Sequence, residues 1–408
     1  MNFKKNIIIM IILTMTILLT GCWNNVDITN IAIVTAVGFD KTENGDILLT
    51  LQMVKPGIVK AKAQGSAEEP VWVYSSTGET VFSAIRNQLT TLNRKAYFSH
   101  VQLMVISEKV AREGITDVLD LFLRDKEANR MAYLLIARGI TARKVLKAQS
   151  ELENIPAMHI KAIIDNNKSL AKIKKSVYFD AIRRIRIRGY SLAIGVIQRQ
   201  QNKKSQEDKT GGKKEGEGKL EIKDLKVEGT AIIKEGKLLG YLNQYETRGL
   251  LFIINEVKSG IINIDNPLDK GKKVAFEIVN SKGKIDVEVK NNKLKLIIEI
   301  KASGRLGEQQ GKGDLTTPVM IKKMEGKVEA AIKKNIEMAV QKAQQKYHSD
   351  FFKFVKIVHG EHYQYWQSIK VNWEKIFSRA PVEIRVKWKT TSSSLLKKPA
   401  QPFINDVE

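Results

Sequence analysis

Apolar positions in this chain keep three different rhythms, and each marks a different kind of element. Ile285, Val287 and Val289 alternate with Asp286, Glu288 and Lys290. A period of two lays one face of a strand on a core and leaves the other wet. Val328, Ile332, Ile336, Ala339, Ala343 and Tyr347 recur every three or four residues, which predicts a long helix with one apolar stripe. Residues 7–19 are apolar almost without interruption.

Taken in order, the same reading gives most of the architecture. Strands at 31–34 and 47–51 flank Asn44-Gly45, a dipeptide that favours a hairpin turn. Val81, Ile85 and Leu89 predict a helix from Thr80, with Ser75, Ser76 and Thr77 available to cap it. A strand follows at 101–106, then helices at 108–115 and 118–125, then a strand at 131–137. Strand alternating with helix predicts an α/β layer. Residues 151–164 read as a helix interrupted near its start by Pro156. A strand at 190–197 and a hairpin of 227–233 with 238–242 come next.

Between them, residues 198–224 are almost all Lys, Glu, Gln, Asp or Gly. Such a stretch buries too little apolar area to offset its ordering entropy and is expected to be disordered. If 190–197 pairs beside the hairpin, this stretch is a surface loop within one unit. Further on, strands at 274–279, 285–290 and 294–302, joined by Ser281-Lys282-Gly283 and Asn291-Asn292, predict an antiparallel meander packed by the long helix. A second helix carries Trp366, Ile369, Trp373 and Ile376, and a last strand alternates Val382, Ile384, Val386 and Trp388 with charged residues. The fold class is α+β with mixed α/β character, multidomain, its sheets covered by helices. The expected units are 1–21, 22–148, 149–265 with the charged loop, 266–396 and a flexible tail at 397–408.

The beginning of the chain changes this picture. Lys4 and Lys5 precede the apolar run, and Leu19-Thr20-Gly21-Cys22 ends it. A basic segment, a short apolar segment and a small-residue site describe a signal peptide that is removed. A spanning helix needs about 20 apolar residues to cross roughly 30 Å of hydrocarbon, and this run is shorter. Leu-x-Gly-Cys resembles the bacterial lipobox, in which the cysteine receives a diacylglyceryl group and becomes the new N-terminus. Cys22 is the one cysteine of the 408 residues, so disulfide stapling and cysteine-rich metal sites are excluded. Two acyl chains anchor stably where one binds marginally. The net charge of +24 then reads as attraction to anionic headgroups, not to nucleic acid, because the lysines are scattered over alternating faces.

Candidate chemistry is thin. His359-Gly360-Glu361-His362, with His348 upstream, lacks the spacing that puts two imidazoles on one helical face, so no metal is expected. The run Gly307-Glu308-Gln309-Gln310-Gly311-Lys312-Gly313 has three residues between its first glycines and no hydroxyl after Lys312, unlike a phosphate loop. No Gly-x-Ser-x-Gly elbow occurs. Glu246 and Arg248 read as an ion pair or helix cap before they read as a functional pair. No cofactor and no catalytic residue is expected, and Cys22 is the single site residue.

Gly21-Cys22-Trp23 with the run from Ile31 to Asp40 resembles the start of the Ger(x)C family, the lipoprotein subunit of bacterial spore nutrient-germinant receptors. Arg94-Lys95-Ala96-Tyr97-Phe98-Ser99-His100, then Phe122-Leu123-Arg124-Asp125, is similar to the family's next signature. Gly229-Thr230-Ala231, Leu239-Gly240-Tyr241-Leu242 and Glu246-Thr247-Arg248-Gly249-Leu250-Leu251 form the block most like the family. One departure is visible at Phe351-Phe352-Lys353-Phe354-Val355-Lys356, where the family has a small, glycine-containing turn. The resemblance implies a non-enzymatic, lipid-anchored receptor subunit on the outer face of the spore inner membrane. Its implied partners are the two membrane-embedded receptor subunits. The reading of another class is a lipid-anchored envelope enzyme or solute-binding protein.

Overall fold

The computed structural model describes residues 30–55, 69–150, 152–200 and 221–392, with Phe3, Lys5, Asn6, Ile7 and Met10 near the start. Cys22, most of the expected signal peptide and the tail at 397–408 lie outside the described residues.

The larger of two sheets grows outward from β1 (Ile31–Lys41). On one side β1 pairs antiparallel with β2 (Ile47–Val54) across the Asn44-Gly45 turn, and β2 pairs with the edge strand β3 (Val71–Gly78). On the other side β1 runs parallel to the short β4 (Lys95–Tyr97) and to β5 (Leu103–Ser107). Two more parallel strands follow, β6 (Tyr133–Arg138) and β7 (Leu192–Arg199). The hairpin β8 (Leu225–Lys234) and β9 (Lys237–Leu242) closes that side antiparallel. Strands β5 to β7 are buried over nearly their whole length because both faces are covered, which is why they read as continuous apolar runs.

One face carries α1 (Val81–Gln88), α2 (Glu108–Glu113), α3 (Thr116–Arg124) and α6 (Tyr178–Ile185). The other carries α4 (Ala142–Lys147) and α5 (Pro156–Asn166), packed through Val145, Leu146, Ile160 and Ile164. Pro156 opens α5 at its first turn, where its missing N–H costs nothing. Thr80 caps α1 in a reciprocal box with Ser83, since residues 75–77 lie inside β3 and cannot serve. Strands β3 and β4 and helix α6 were not legible in the pattern.

The smaller sheet has the order β10 (Gly260–Asp265), β11 (Lys273–Lys290), β12 (Lys293–Gln309), β13 (Val382–Ser392). The expected strands 274–279 and 285–290 are one strand. Residues 280–283 stay paired to β12, and a bulge between Ile278 and Asn280 absorbs the bend. Strand β13 joins parallel to β12, so the sheet is a three-stranded antiparallel meander with a fourth strand returned by a helical crossover. That crossover begins with α8 (Pro318–Gln341) and a π turn at Lys342–Lys346, and the stripe is buried as expected from Val328 to Tyr347. The expected second helix is broken at residues 370–372 into α10 (Tyr363–Ile369) and α11 (Trp373–Arg379), preceded by α9 (Phe354–Glu361).

The three strands expected within 149–265 all join the larger sheet as β7 to β9, and β10, which the pattern did not mark, opens the smaller one. The reason is burial: the apolar run of β7 needs cover on both faces, and β6 between its helices supplies the matching site. Helix α7 (Gln244–Ile253) then carries one contiguous core from the larger sheet to the smaller. The charged stretch lies between β7 and β8 inside one sheet, as the conditional reading had it. Its ends are ordered: Gln198 and Arg199 finish β7 and pair with Lys226 and Leu225, and Ile222 is buried in a helical turn. Residues 201–220 lie outside the described residues.

Candidate functional site

The residues weighed for chemistry do not converge. The His348 ring lies 3.3 Å from Ser378 Oγ, while His359 stacks edge-on against Tyr363 and Trp366. No group of His, Cys, Asp or Glu among the described residues is placed to hold a metal ion. Residues 307–309 complete β12, and Gly311 and Gly313 turn the chain with Asp269 Oδ2 accepting from the Lys312 amide. Glu246 and Arg248 both lie on α7 but engage different partners. Glu246 accepts from the Asn243 amide at 2.8 Å, closing a capping box, and pairs with Lys342 at 3.1 Å. Arg248 instead donates to Ile261 O at 3.1 Å, and burial holds its guanidinium below the usual arginine range.

Gly229 and residues 241–245 nevertheless line an open cleft of ≈ 250 Å³ at the start of α7, together with Arg138 and Gln198. The Arg138 guanidinium lies 4.4 Å from the centre of the Tyr241 ring. Burial, and then the nearby Glu108 carboxylate, push the Tyr241 phenol above its ordinary range, so it stays protonated. Glu228 at the rim is already paired with Lys226 at 2.8 Å. Asn243 and Glu246 occupy the free amides of the helix start, so the cleft offers a guanidinium and amides but no anion hole.

A second cluster joins the larger sheet to the C-terminal helices. The Ser191 amide donates to Asp350 O at 2.8 Å, and Trp373 Nε1 donates to Gly189 O at 3.0 Å. Asp350 is 1% exposed. Its carboxylate accepts from the amides of Phe352 at 2.8 Å, Lys353 at 3.1 Å and Val355 at 2.7 Å. Burial outweighs those donors and pushes its carboxyl up to about 6. Phe351, Phe352 and Phe354, the departure noted above, are all buried beneath it. An aspartate one residue before a buried aromatic run at a helix start was the available signal. Its partners 160 residues away were not.

Two models of protein families cover the chain. That of the spore germination protein N-terminal domain matches residues 24–199, and that of the spore germination B3/GerAC-like C-terminal domain matches residues 228–394. Spore germination protein KC of Bacillus subtilis (strain 168) is 25% identical over 418 residues, spanning 99% of each chain. Spore germination protein B3 of the same organism is 25% identical over 381 residues, covering 92% of this chain and 94% of its own. Among solved structures, the GerBC protein is similar in fold, with a TM-score of 0.52 and 22% identity over 87% of this chain and 97% of that one.

Proposed function

The chain belongs to the spore germination B3/GerAC-like family and so has a role in spore germination; on that premise we propose that it is a lipid-anchored, non-enzymatic subunit of a nutrient-germinant receptor. The observation that carries the anchor is Leu19-Thr20-Gly21-Cys22, with the one cysteine of the sequence where a lipid would be attached. No helix among the described residues is long and apolar enough to cross a membrane. The anchor holds the body at the outer face of the spore inner membrane beside two membrane-embedded receptor subunits. Confinement to that surface raises the effective concentration of partner surfaces, and the subunit acts by contacts during assembly and response.

Cys22→Ala tests this by fractionation of spores together with a nutrient-germination assay. The expected outcome is loss of membrane retention and loss of the response; retention of both overturns the reading. The cleft beside Arg138 and Tyr241 favours one further reading, a solute-binding protein. Titration calorimetry with amino acids and sugars separates the two, because tight binding that Arg138→Ala abolishes would support the second.

A further inference from the structure

Strands β1, β4, β5 and β6 are parallel, so all of them begin at one end of the larger sheet. Lys95 pairs with Ile31 at that end, next to Arg94. Val34 pairs with Met53, which pairs on its other side with Trp72, so Trp72 is at the same level. Arg130 and Met131 precede β6, and α6 starts beside them, with the Tyr178 amide donating to Ala132 O at 3.1 Å. Two of these residues are large, apolar and open to solvent: Trp72 is 47% exposed and Met131 70% exposed. The cations are unneutralised. Arg130 and Arg183 both lie over the Phe179 ring, at 5.2 and 5.7 Å, and neither they nor Arg94 and Lys95 have an ion-pair partner among the described residues. Of the acidic groups nearby, Asp125 accepts from the Glu127 amide at 2.8 Å, Asp180 faces Arg184 at 3.9 Å, and Glu127 is exposed.

We infer that this end of the sheet rests on an anionic lipid bilayer, with Trp72 and Met131 at the hydrocarbon boundary and Arg94, Lys95, Arg130 and Arg183 among the headgroups. Aromatic rings with one apolar and one polar side favour that depth, and basic residues favour the negative surface. The inference rests on the reading of Cys22 as the lipid-bearing residue. Only eight residues lie between Cys22 and Ile31, and nine Cα–Cα steps reach at most about 30 Å, so the start of β1 lies within that distance of the anchor. That leash keeps this end of the sheet close to the surface.

The test uses the lipidated protein carrying Trp23→Phe, reconstituted into vesicles whose acyl chains are brominated. Trp366, Trp373 and Trp388 are at most 5% exposed, so quenching by lipid reports Trp72. Strong quenching is expected with phosphatidylglycerol present, weak quenching in phosphatidylcholine alone, and loss of the signal in Trp72→Phe. Lys95→Gln, Arg130→Gln and Arg183→Gln together are expected to weaken surface contact roughly a hundredfold, at about 1 kcal/mol per basic residue. An unquenched Trp72 in protein that stays with anionic vesicles through a high-salt wash overturns the inference, as does quenching that Trp72→Phe leaves unchanged. Failure of the anchor has a different signature: the protein leaves the vesicles in salt, and mass spectrometry shows a bare thiol at Cys22.

Discussion

Asp350 is a wholly buried carboxylate whose proton is held to a higher pH in the folded chain than in the unfolded one. Folding therefore takes up a proton between the ordinary value of 3.8 and about 6. Stability from this group is complete below that window and is lost as the pH rises through about 6. Other carboxylates move the opposite way. Asp165, hydrogen-bonded to Lys175, Tyr133 and Lys161, is held well below the usual range despite its partial burial, and its contribution fades as the pH falls. The difference between wild type and Asp350→Asn isolates the first effect. Thermal unfolding is expected to show a wild-type loss between pH 4 and 7 that Asp350→Asn does not share, worth up to about 3 kcal/mol. Gly249 is a position where a single residue decides packing, since a Cβ there would lie 2.0 Å from Asn335 O on α8. Gly249→Ala is expected to lower stability by about 3 kcal/mol in denaturant titration, through overpacking of the α7–α8 crossing.

At the scale of elements, the smaller sheet curls around α8 until both of its edges reach that helix. On β13 the amides of Trp388 and Thr390 donate to Glu329 at 2.9 Å and Glu325 at 2.7 Å. On β10 the carbonyls of Asp265 and Ile261 accept from Lys327 at 3.3 Å and from Arg248. Charged side chains of the helices thus occupy backbone groups that would otherwise template another chain. Glu325→Ala with Glu329→Ala is expected to cost about 1 kcal/mol per lost hydrogen bond and to raise self-association, read by light scattering at increasing concentration. Edge strand β9 is treated alike. Gly240 leaves room for Tyr347, whose hydroxyl donates to Tyr241 O at 2.8 Å. None of these pairs has a local signature, because each joins residues that are remote in sequence.

For the whole molecule, the two sheets share one core rather than docking as separate bodies. Ion pairs and hydrogen bonds cross the seam as well: Lys174 is buried and meets Glu256 at 2.9 Å, and Lys234 meets Glu374 at 2.6 Å. The Gln200 amide donates to Asp224 O at 2.7 Å, so both ends of the charged stretch meet at the β7–β8 pair. Replacing residues 201–220 by a short Gly-Ser link is expected to leave the melting temperature unchanged or slightly raised, since shortening a loop lowers its closure entropy only logarithmically. A large fall in melting temperature would show that the stretch contributes packing.

Periodicity made the local elements of this fold legible. The Asn44-Gly45 hairpin, the alternating strands of the smaller sheet, the stripe of α8 and the capping box at Glu246 all follow from residues close together in the chain. The resemblance of the block around Gly229 to Leu251 was legible for the same reason, and Gly229 with residues 241–245 lines the cleft. Pairing across long separations was decided only in three dimensions. A strand buried on both faces carries no alternation to say which neighbour it joins, so β7 gave no hint that it would extend the larger sheet. Asp350, Trp373 and the curled sheet belong to the same class. Their partners are selected by the space left when helices and sheets close together, a quantity set by shape and burial rather than by any local pattern.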